Sequence, residues 1–474
     1  MPFVTGPLPQ RLKLVHGFGA VAFGVKDSGF SFFLLPFYNL VLGVDASTVG
    51  AALAPALVID ALVDPLIGHL SDRTYTKWGR RLPWLYLAPW PLALVWTMLW
   101  SPPFTGTPGF WDIVALAVGV RLLLSACEVP SVSLVPEITD DYDDRTTLFR
   151  YRFLSGWLGG LLMMVLTFTV FLPTPQSQLQ PEGYASYGLF GAALIALSVI
   201  GSAAAQHRIV AQLPERRPPP FSITGAFAEI FDAFREKAFV IFALGGLAAY
   251  VLQGMTFSIT QYVNLYVWQF SELAFQLYPA VLFLSVVLMF VIVGPLHRRW
   301  GKPKSAALGA LVGLAFYCSP YVFYLAGAWP TVGTTASTAL LYGFLVCANT
   351  ASVVAIISAT SMVAEIVEAF EERTGQRAEG TFYAGNWLVQ KCATGGGILL
   401  TSLIVQSIDL APGTPQTEVA PETVRQLVWL FMLAATVLAS IAAFWLARFP
   451  ISREQHEARD AARRGRPAQP APAT

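Results

Sequence analysis

The chain has 474 residues, of which 55% are hydrophobic and 12% are charged, and its formal net charge is +1. The charged fraction is about half of that in a typical soluble protein, which excludes a disordered chain and an ordinary soluble enzyme. The balanced charge argues against a nucleic-acid partner, and four cysteines that stand singly in apolar stretches argue against a disulfide scaffold.

Long apolar runs dominate the chain. A bilayer-spanning helix needs roughly 20 mostly apolar residues, and we find twelve such runs. They lie near 14–43, 47–72, 82–102, 109–136, 150–172, 186–209, 239–268, 274–296, 305–327, 335–364, 381–408 and 425–447. The sequence therefore predicts an all-α membrane protein with twelve transmembrane helices. The first run is long and has no clear cleavage site, so we interpret it as a span and not as a signal peptide.

Lys and Arg residues mark one side of the predicted membrane. The loops 43–46 and 101–109 contain neither residue, whereas the loops that follow even-numbered spans contain several. Because cytoplasmic loops are rich in Lys and Arg, we expect both termini to be cytoplasmic and the protein to lie in the cell (inner) membrane. The predicted divisions are an N-terminal six-helix half (1–211), a cytoplasmic linker (212–237), a C-terminal six-helix half (238–448) and a disordered cytoplasmic tail (449–474).

A weak internal repeat supports two halves. Span 2 is followed by Gly68-His-Leu-Ser-Asp72-Arg73 and then Trp78-Gly79-Arg80-Arg81, and span 8 is followed by Gly294-Pro-Leu-His-Arg298-Arg299-Trp300-Gly301-Lys302. Positive-inside anchoring would explain either turn alone. Because the turns occupy matching positions, we favour two parallel six-span halves, the architecture of the major facilitator superfamily.

Ionisable side chains inside the spans are candidates for function, since each costs roughly 2.5–3.5 kcal/mol at the bilayer centre. The polar residues that we single out are Lys26, Asp27, Asp60, Asp64, Ser125, Glu128, Arg152, Asn386 and Lys391. Asp60 and Asp64 are four residues apart and so share a helix face. Two such carboxylates repel each other, so a proton or a monovalent cation would stabilise them. The alternative is structural ion pairing, for example of Asp60 with Arg152 or Lys391.

No motif for ATP hydrolysis, nucleophilic catalysis or zinc binding occurs in the sequence. We therefore expect neither an enzyme nor an ATP-driven transporter, and no cofactor apart from a coupling ion.

Several strings together resemble the glycoside–pentoside–hexuronide:cation symporter family of the major facilitator superfamily. They are Asp60-Ala-Leu-Val-Asp64-Pro65-Leu-Ile-Gly68, Lys77-Trp78-Gly79-Arg80-Arg81-Leu-Pro83-Trp84, Lys26-Asp27, Glu128-Val-Pro130, Arg152-Phe153, Met362-Val-Ala-Glu365 and Tyr383 with Lys391. The resemblance extends over most of the chain, and the span 2 string is its most specific part.

The resemblance implies a role for each candidate. Asp60, Asp64 and Ser125 would bind the coupling cation, which is Na⁺, Li⁺ or H⁺ in the family. Lys26, Asp27, Glu128 and Arg152 would bind the solute, with Asn386 nearby, and Lys391 would link the two sites. The cytoplasmic gate would comprise Gly68, Asp72, Arg73, Gly79, Arg80, Arg81 and Glu365.

Two departures from the family pattern affect these expectations. Val63 replaces an oxygen ligand of the cation, which weakens the case for Na⁺ and favours H⁺. Val132 and Ile356 replace aromatic residues that stack on sugar, which puts galactoside specificity in doubt.

We therefore expect a monomeric secondary active transporter that moves a glycoside, hexuronide or related small polar solute by cation-coupled (Na⁺ or H⁺) symport. The alternatives are a cation-coupled carrier of a lysolipid or other amphiphile and, more remotely, a non-transporting solute sensor or an intramembrane enzyme.

Overall fold

The computed structural model describes residues 3–4, 6–212, 232–375, 378–408, 410–416 and 418–450. Most of the predicted linker (212–237) and most of the predicted tail (449–474) lie outside these residues. Long helices joined by short turns make up the described chain. They are α1 (Gln10–Val41), α2 (Ala46–Asp72), α3 (Leu82–Leu87), α4 (Pro89–Trp100), α5 (Phe110–Ile138), α6 (Asp143–Phe171), α7 (Pro181–Val210), α8 (Lys237–Val267), α9 (Glu272–Leu325), α10 (Thr335–Thr374), α11 (Glu379–Ser407) and α12 (Pro421–Ala447).

Ten helices in the described part of the chain are long and apolar enough to cross a membrane, whereas the sequence contains twelve apolar runs. The number of helices differs from the number of apolar runs because of two regions. The run 82–102 is divided into α3 and α4 at Ala88, where Pro89 offers no N–H to the helix. The runs 274–296 and 305–327 both lie in α9, which consists of two helical segments separated at Gly301, whose φ of 74° and ψ of 169° are not helical and are open to glycine without a steric penalty.

Helix α1 is irregular where it carries charge. It turns at Gly19 and Ala20, and it becomes a π-helix over Gly29–Phe33 and again over Phe37–Val41. It also packs very closely on α6, since a Cβ built on Gly24 would lie 1.7 Å from the carbonyl oxygen of Gly156. This approach requires glycine and brings the charged middle of α1 next to the middle of α6.

Contacts between the N-terminal part (residues 6–212) and the C-terminal part (residues 232–450) are concentrated at one end. We call this the opposite end; it contains the turns 42–45, 172–180 and 268–271 and the described residues 410–416 and 418–420. There the Tyr262 hydroxyl donates to Asn39 Oδ1 (2.9 Å), and the Gly413 N–H donates to the Leu40 carbonyl (2.9 Å). The Phe168 and Phe275 rings stack 5.2 Å apart. The other end, which we call the basic end, contains the turns 73–81 and 298–304.

Helices α2 and α11 run side by side between the two parts. A Cβ on Gly50 would meet Ser402, and a Cβ on Gly395 would lie 3.1 Å from the Ala54 carbonyl oxygen. Small residues allow such close helix packing in membranes. The consequence is that Lys391, four residues before Gly395, faces the acidic face of α2.

Candidate functional site

The carboxylates of Asp60 and Asp64 share one hydroxyl partner. The two residues lie one turn apart on α2, and Ser125 Oγ on α5 lies 2.8 Å from Asp60 Oδ1 and 2.6 Å from Asp64 Oδ1. The Asp60 side chain is 4% exposed, whereas that of Asp64 is 27% exposed. The three oxygen-bearing side chains predicted to bind a cation are thus assembled, with Asp64 as the more accessible carboxylate.

Lys391 connects the two parts of the molecule at this point. Its Nζ on α11 lies 2.5 Å from Asp64 Oδ2 and 3.0 Å from Asp60 Oδ2. The pairing of Asp60 with Lys391, raised above as a structural alternative, is therefore present, whereas Arg152 contacts neither aspartate through a hydrogen bond or ion pair that the structure describes.

Arg121 completes the group and was missed in the sequence analysis. Its Nη1 lies 3.2 Å from Asp60 Oδ2, and its guanidinium covers the Phe30 ring at 4.2 Å from the ring centre. The signal was available, since Arg121 lies one helical turn before Ser125 and inside an apolar run. We refer to Asp60, Asp64, Arg121, Ser125 and Lys391 as the aspartate cluster.

A second group of charges lies next to the first. Lys26 and Asp27 on α1 form an ion pair of 2.5 Å, in which the Lys26 side chain is 10% exposed and the Asp27 side chain 66% exposed. Glu128 on α5 has no hydrogen bond or ion pair to the described residues, and the nearby charges that act on it include Lys26, Asp27 and Lys391.

Arg152 on α6 belongs to the same group. Its Nη1 donates to Ser131 Oγ (2.6 Å), its guanidinium lies 5.6 Å from the centre of the Phe23 ring, and Glu128 is the charge that acts on it most. We refer to Lys26, Asp27, Glu128 and Arg152 as the open cluster, because it contains Asp27, the most exposed carboxylate of the two groups. The four residues predicted to bind the solute are thereby placed together.

Asn386 occupies a different environment. It is 3% exposed, and its Oδ1 accepts a hydrogen bond from the Tyr250 hydroxyl (3.2 Å) between α8 and α11. The structure does not bring it to either cluster, so a direct contact with solute stays a prediction.

The predicted gate residues lie at the basic end and bond within their own parts. Arg81 donates to Asp72, to Ser71 Oγ (2.5 Å) and to Glu137 Oε1 (3.0 Å), all in the N-terminal part. Arg80 Nη2 lies 3.5 Å from the same Glu137 oxygen, so Glu137 is a member that the sequence analysis missed. In the C-terminal part, Glu365 pairs with Lys302 (3.1 Å).

The remaining gate residues shape the turn after α2. Arg73 Nη1 reaches the His69 carbonyl (3.0 Å), one turn back along the helix. Gly79 has φ 87°, and a Cβ there would lie 3.2 Å from the carbonyls of Val210 and Gln212. Gly68 has open space around it on α2, with Val129 as the nearest neighbour of a Cβ at 3.6 Å.

The donors of the aspartate cluster limit its chemistry. Within the described residues no group of three or more His, Cys, Asp or Glu side chains could hold a metal ion. Carboxylate and hydroxyl oxygens suit a proton or a hard monovalent cation, and the amino and guanidinium groups compete with any such cation for the same oxygens.

Comparison with known proteins identifies the family to which the chain belongs. The profile of the family described as MFS/sugar transport protein matches residues 15–453. An uncharacterized symporter of Synechocystis sp. is 27% identical, with 94% of each chain covered. A putative glycoside/cation symporter of Escherichia coli is 27% identical over 39% of each chain.

Among solved structures, the nucleoside transporter NupG superimposes with a TM-score of 0.64 at 15% identity, covering 94% of this chain and 100% of that one. At this identity the likeness shows the fold of a transporter of the major facilitator type. The family match and the symporter relatives make the protein a multi-pass secondary transporter and not an enzyme. The chain belongs to the MFS/sugar transport protein family and, within it, to the glycoside–pentoside–hexuronide:cation symporters.

Proposed function

We propose that the protein carries out symport of a small polar, carbohydrate-like solute with a monovalent cation, Na⁺ or H⁺, by alternating access in the cell membrane. The observation that carries the proposal is the position of Lys391. Its ammonium group comes from the C-terminal part and contacts both aspartates of the N-terminal part. A cation at the aspartates and a solute at the open cluster would each change what this one group binds.

The ion pairs explain how the two ligands would be linked. A cation that binds Asp64 competes with Lys391, and the freed ammonium group can turn toward Glu128, on which it already acts. A solute with hydroxyl or carboxylate groups then finds a basic partner. By linkage, a cation that tightens solute binding is itself bound more tightly when solute is present.

The hydroxyl of Ser125 leaves a place for the cation. It has one hydrogen and lies within hydrogen-bond distance of two carboxylate oxygens, so it donates to only one of them at a time. The Ser125 oxygen and the carboxylate oxygen to which it does not donate are also close together, and this contact is favourable only when a proton or cation lies beside it. Asp64, the more exposed aspartate, offers that position.

The open cluster suits a solute with many hydroxyl groups. Glu128 and Asp27 can accept hydrogen bonds from hydroxyls, and Arg152 can bind a carboxylate through two parallel hydrogen bonds. The description of one relative as a putative glycoside/cation symporter supports a glycoside-like or hexuronide-like solute. Among these, an acidic sugar best matches the Arg152 side chain.

We place the basic end in the cytoplasm, because its turns contain the Lys and Arg residues that cytoplasmic loops favour. Both termini are then cytoplasmic. The bend at Gly301 and the break at Ala88 support twelve crossings in two six-helix halves. Because the parts meet mainly at the opposite end, the conformation is inward-facing, and closing the basic end would bring Arg81 and Asp72 toward the C-terminal part.

The proposal is tested first by thermal unfolding of the purified protein with a panel of glycosides, hexuronates and lysophospholipids. Each compound is measured with and without Na⁺ at two pH values. Stabilisation by a sugar or uronate that grows with Na⁺ or at low pH supports the proposal. Stabilisation by lysophospholipid alone would replace it with an amphiphile carrier.

Transport then separates the two sites. In proteoliposomes that contain the stabilising solute, D64N should lose gradient-driven uptake while solute exchange persists, and E128Q should lose both. Concentrative uptake at the wild-type level by D64N would contradict the role of the aspartate cluster. Loss of only the cation response in E128Q would show that the two sites are assigned the wrong way round.

A further inference from the structure

Arg121 adds a second permanent positive charge to the aspartate cluster. It binds Asp60 Oδ2 and covers the Phe30 ring, and its side chain is 6% exposed. A guanidinium group stays protonated in proteins. Unlike a bound ion, this charge cannot leave, and unlike a lysine, it cannot be neutralised by burial.

The charges of the aspartate cluster balance once Arg121 is included. Asp60 and Asp64 contribute two negative charges, and Lys391 and Arg121 contribute two positive charges. In the open cluster, Lys26 and Arg152 likewise balance Asp27 and Glu128. Without Arg121, Lys391 would be the one basic group that forms an ion pair with the aspartates among the described residues, and the remaining negative charge would attract a monovalent cation.

The oxygens of Asp60 are also occupied. Oδ1 is within hydrogen-bond distance of Ser125, and Oδ2 is shared by Lys391 and Arg121. A hard cation such as Na⁺ needs several oxygen ligands at once. At Asp60 it would lie beside the guanidinium group and compete with it for Oδ2, and the apolar side chain of Val63 adds no oxygen on that turn of α2.

We propose that Arg121 determines the ion specificity of the site: it supplies the positive charge that Na⁺ would supply, so that Na⁺ does not bind and does not drive transport. This inference rests on the proposed cation site at Asp60 and Asp64 and narrows the choice of ion there. Arg121 acts through Asp60, so it is a positioning and specificity residue and not a solute ligand.

The test measures Na⁺ binding without solute. The thermal unfolding midpoint of the purified full-length protein is recorded in increasing NaCl and, at equal ionic strength, in choline chloride. We expect the two salts to act alike on the wild type and on R121K, which keeps the charge. In R121M and R121Q we expect a saturable stabilisation by Na⁺ over choline, with an affinity about 10- to 1,000-fold above that of the wild type, the range that one neighbouring charge produces.

Two controls locate the effect. R152Q removes an equally buried arginine of the open cluster, which donates to Ser131, so any Na⁺ response that it gains should arise at the open cluster and persist when D64N is added. Adding D64N to R121Q should abolish the response gained, because the ion loses its more accessible carboxylate. A merely structural role for Arg121 would lower the midpoint of R121M and R121Q equally in both salts.

Two results would overturn the inference. One is a saturable stabilisation of the wild type by Na⁺ relative to choline that is lost in D64N. This measurement does not require any Arg121 variant to fold. The other is a folded R121Q whose thermal unfolding midpoint is the same in NaCl and in choline chloride. Neither result concerns solute uptake, so the inference can fail while symport stands, and a failure to find any transported solute leaves the Na⁺ measurement interpretable.

Discussion

The aspartate cluster and the open cluster have the same kinds of side chain but differ in how these are bonded. In the aspartate cluster, every carboxylate has at least one basic partner and a hydroxyl, and Asp60 is almost fully buried. In the open cluster, Asp27 is largely exposed, and Glu128 has no hydrogen bond or ion pair to the residues that the structure describes.

This difference indicates a division of labour. A carboxylate without a protein partner, such as Glu128, can accept hydrogen bonds from a solute at little cost to the protein. A carboxylate with several partners must give one up before a ligand binds, and Lys391 is the partner that comes from the other part of the molecule. Replacement of single residues should therefore have unequal effects in the two clusters.

The largest difference is expected between D60N and D27N. D60N leaves the buried Arg121 without its carboxylate, and loss of one partner of a buried ion pair costs about 3–5 kcal/mol. D27N removes a carboxylate that is 66% exposed, so water can replace it beside Lys26, on which Glu128 also acts, and we expect a loss of about 1 kcal/mol. Thermal unfolding midpoints of the two purified variants measure the difference, and equal midpoints would contradict the distinction between the clusters.

A smaller but more specific effect is expected for K391M. It removes the ammonium group that Asp60 and Asp64 share. Because Asp64 is 27% exposed, water can partly replace this group, so we expect a loss of about 2–3 kcal/mol in the free energy of unfolding. Uptake driven by an ion gradient should stop. K26M is the matched control in the open cluster, and it should weaken solute binding without abolishing the response to the cation. Wild-type accumulation by K391M would show that Lys391 does not link the two sites.

Much of the aspartate cluster could be predicted from the sequence, since the spacing of Asp60 and Asp64 places both on one helix face. Lys391 is more than 300 positions away, so the sequence suggested it only as one of two possible ion partners of Asp60, and the family resemblance gave it the role of linking the two sites. Arg121 was missed because Ser125 and Glu128 in the same span were selected as possible ligands, whereas the balance of charge around the aspartates was not considered. Its spacing from Ser125 and Glu128 on one face of α5 was a usable signal.

The helix boundaries show a similar limit. Hydropathy located every apolar run and separated the two runs that meet at Gly301, but it could not show that Pro89 divides the run 82–102. Nor could it show the gate contacts of Glu137, because these depend on how the turn 73–81 folds back on the end of α5. Such features follow from backbone geometry at single residues.

The smallest effects are expected for S125A and S131A, which remove the serine hydroxyl that contacts charged groups in each cluster. Each variant loses a side-chain hydrogen bond to a charged group, which is worth about 1–2 kcal/mol. The stability losses should therefore be similar, and the clusters should be distinguished by ligand response.

S125A removes the hydroxyl between Asp60 and Asp64 and should weaken the cation response. S131A frees Arg152 and should lower solute affinity about 3- to 10-fold, as 1.4 kcal/mol corresponds to a factor of ten. Isothermal titration with solute at fixed ion concentration measures both variants, and a loss of solute affinity in S125A equal to that in S131A would show that the clusters act as one site.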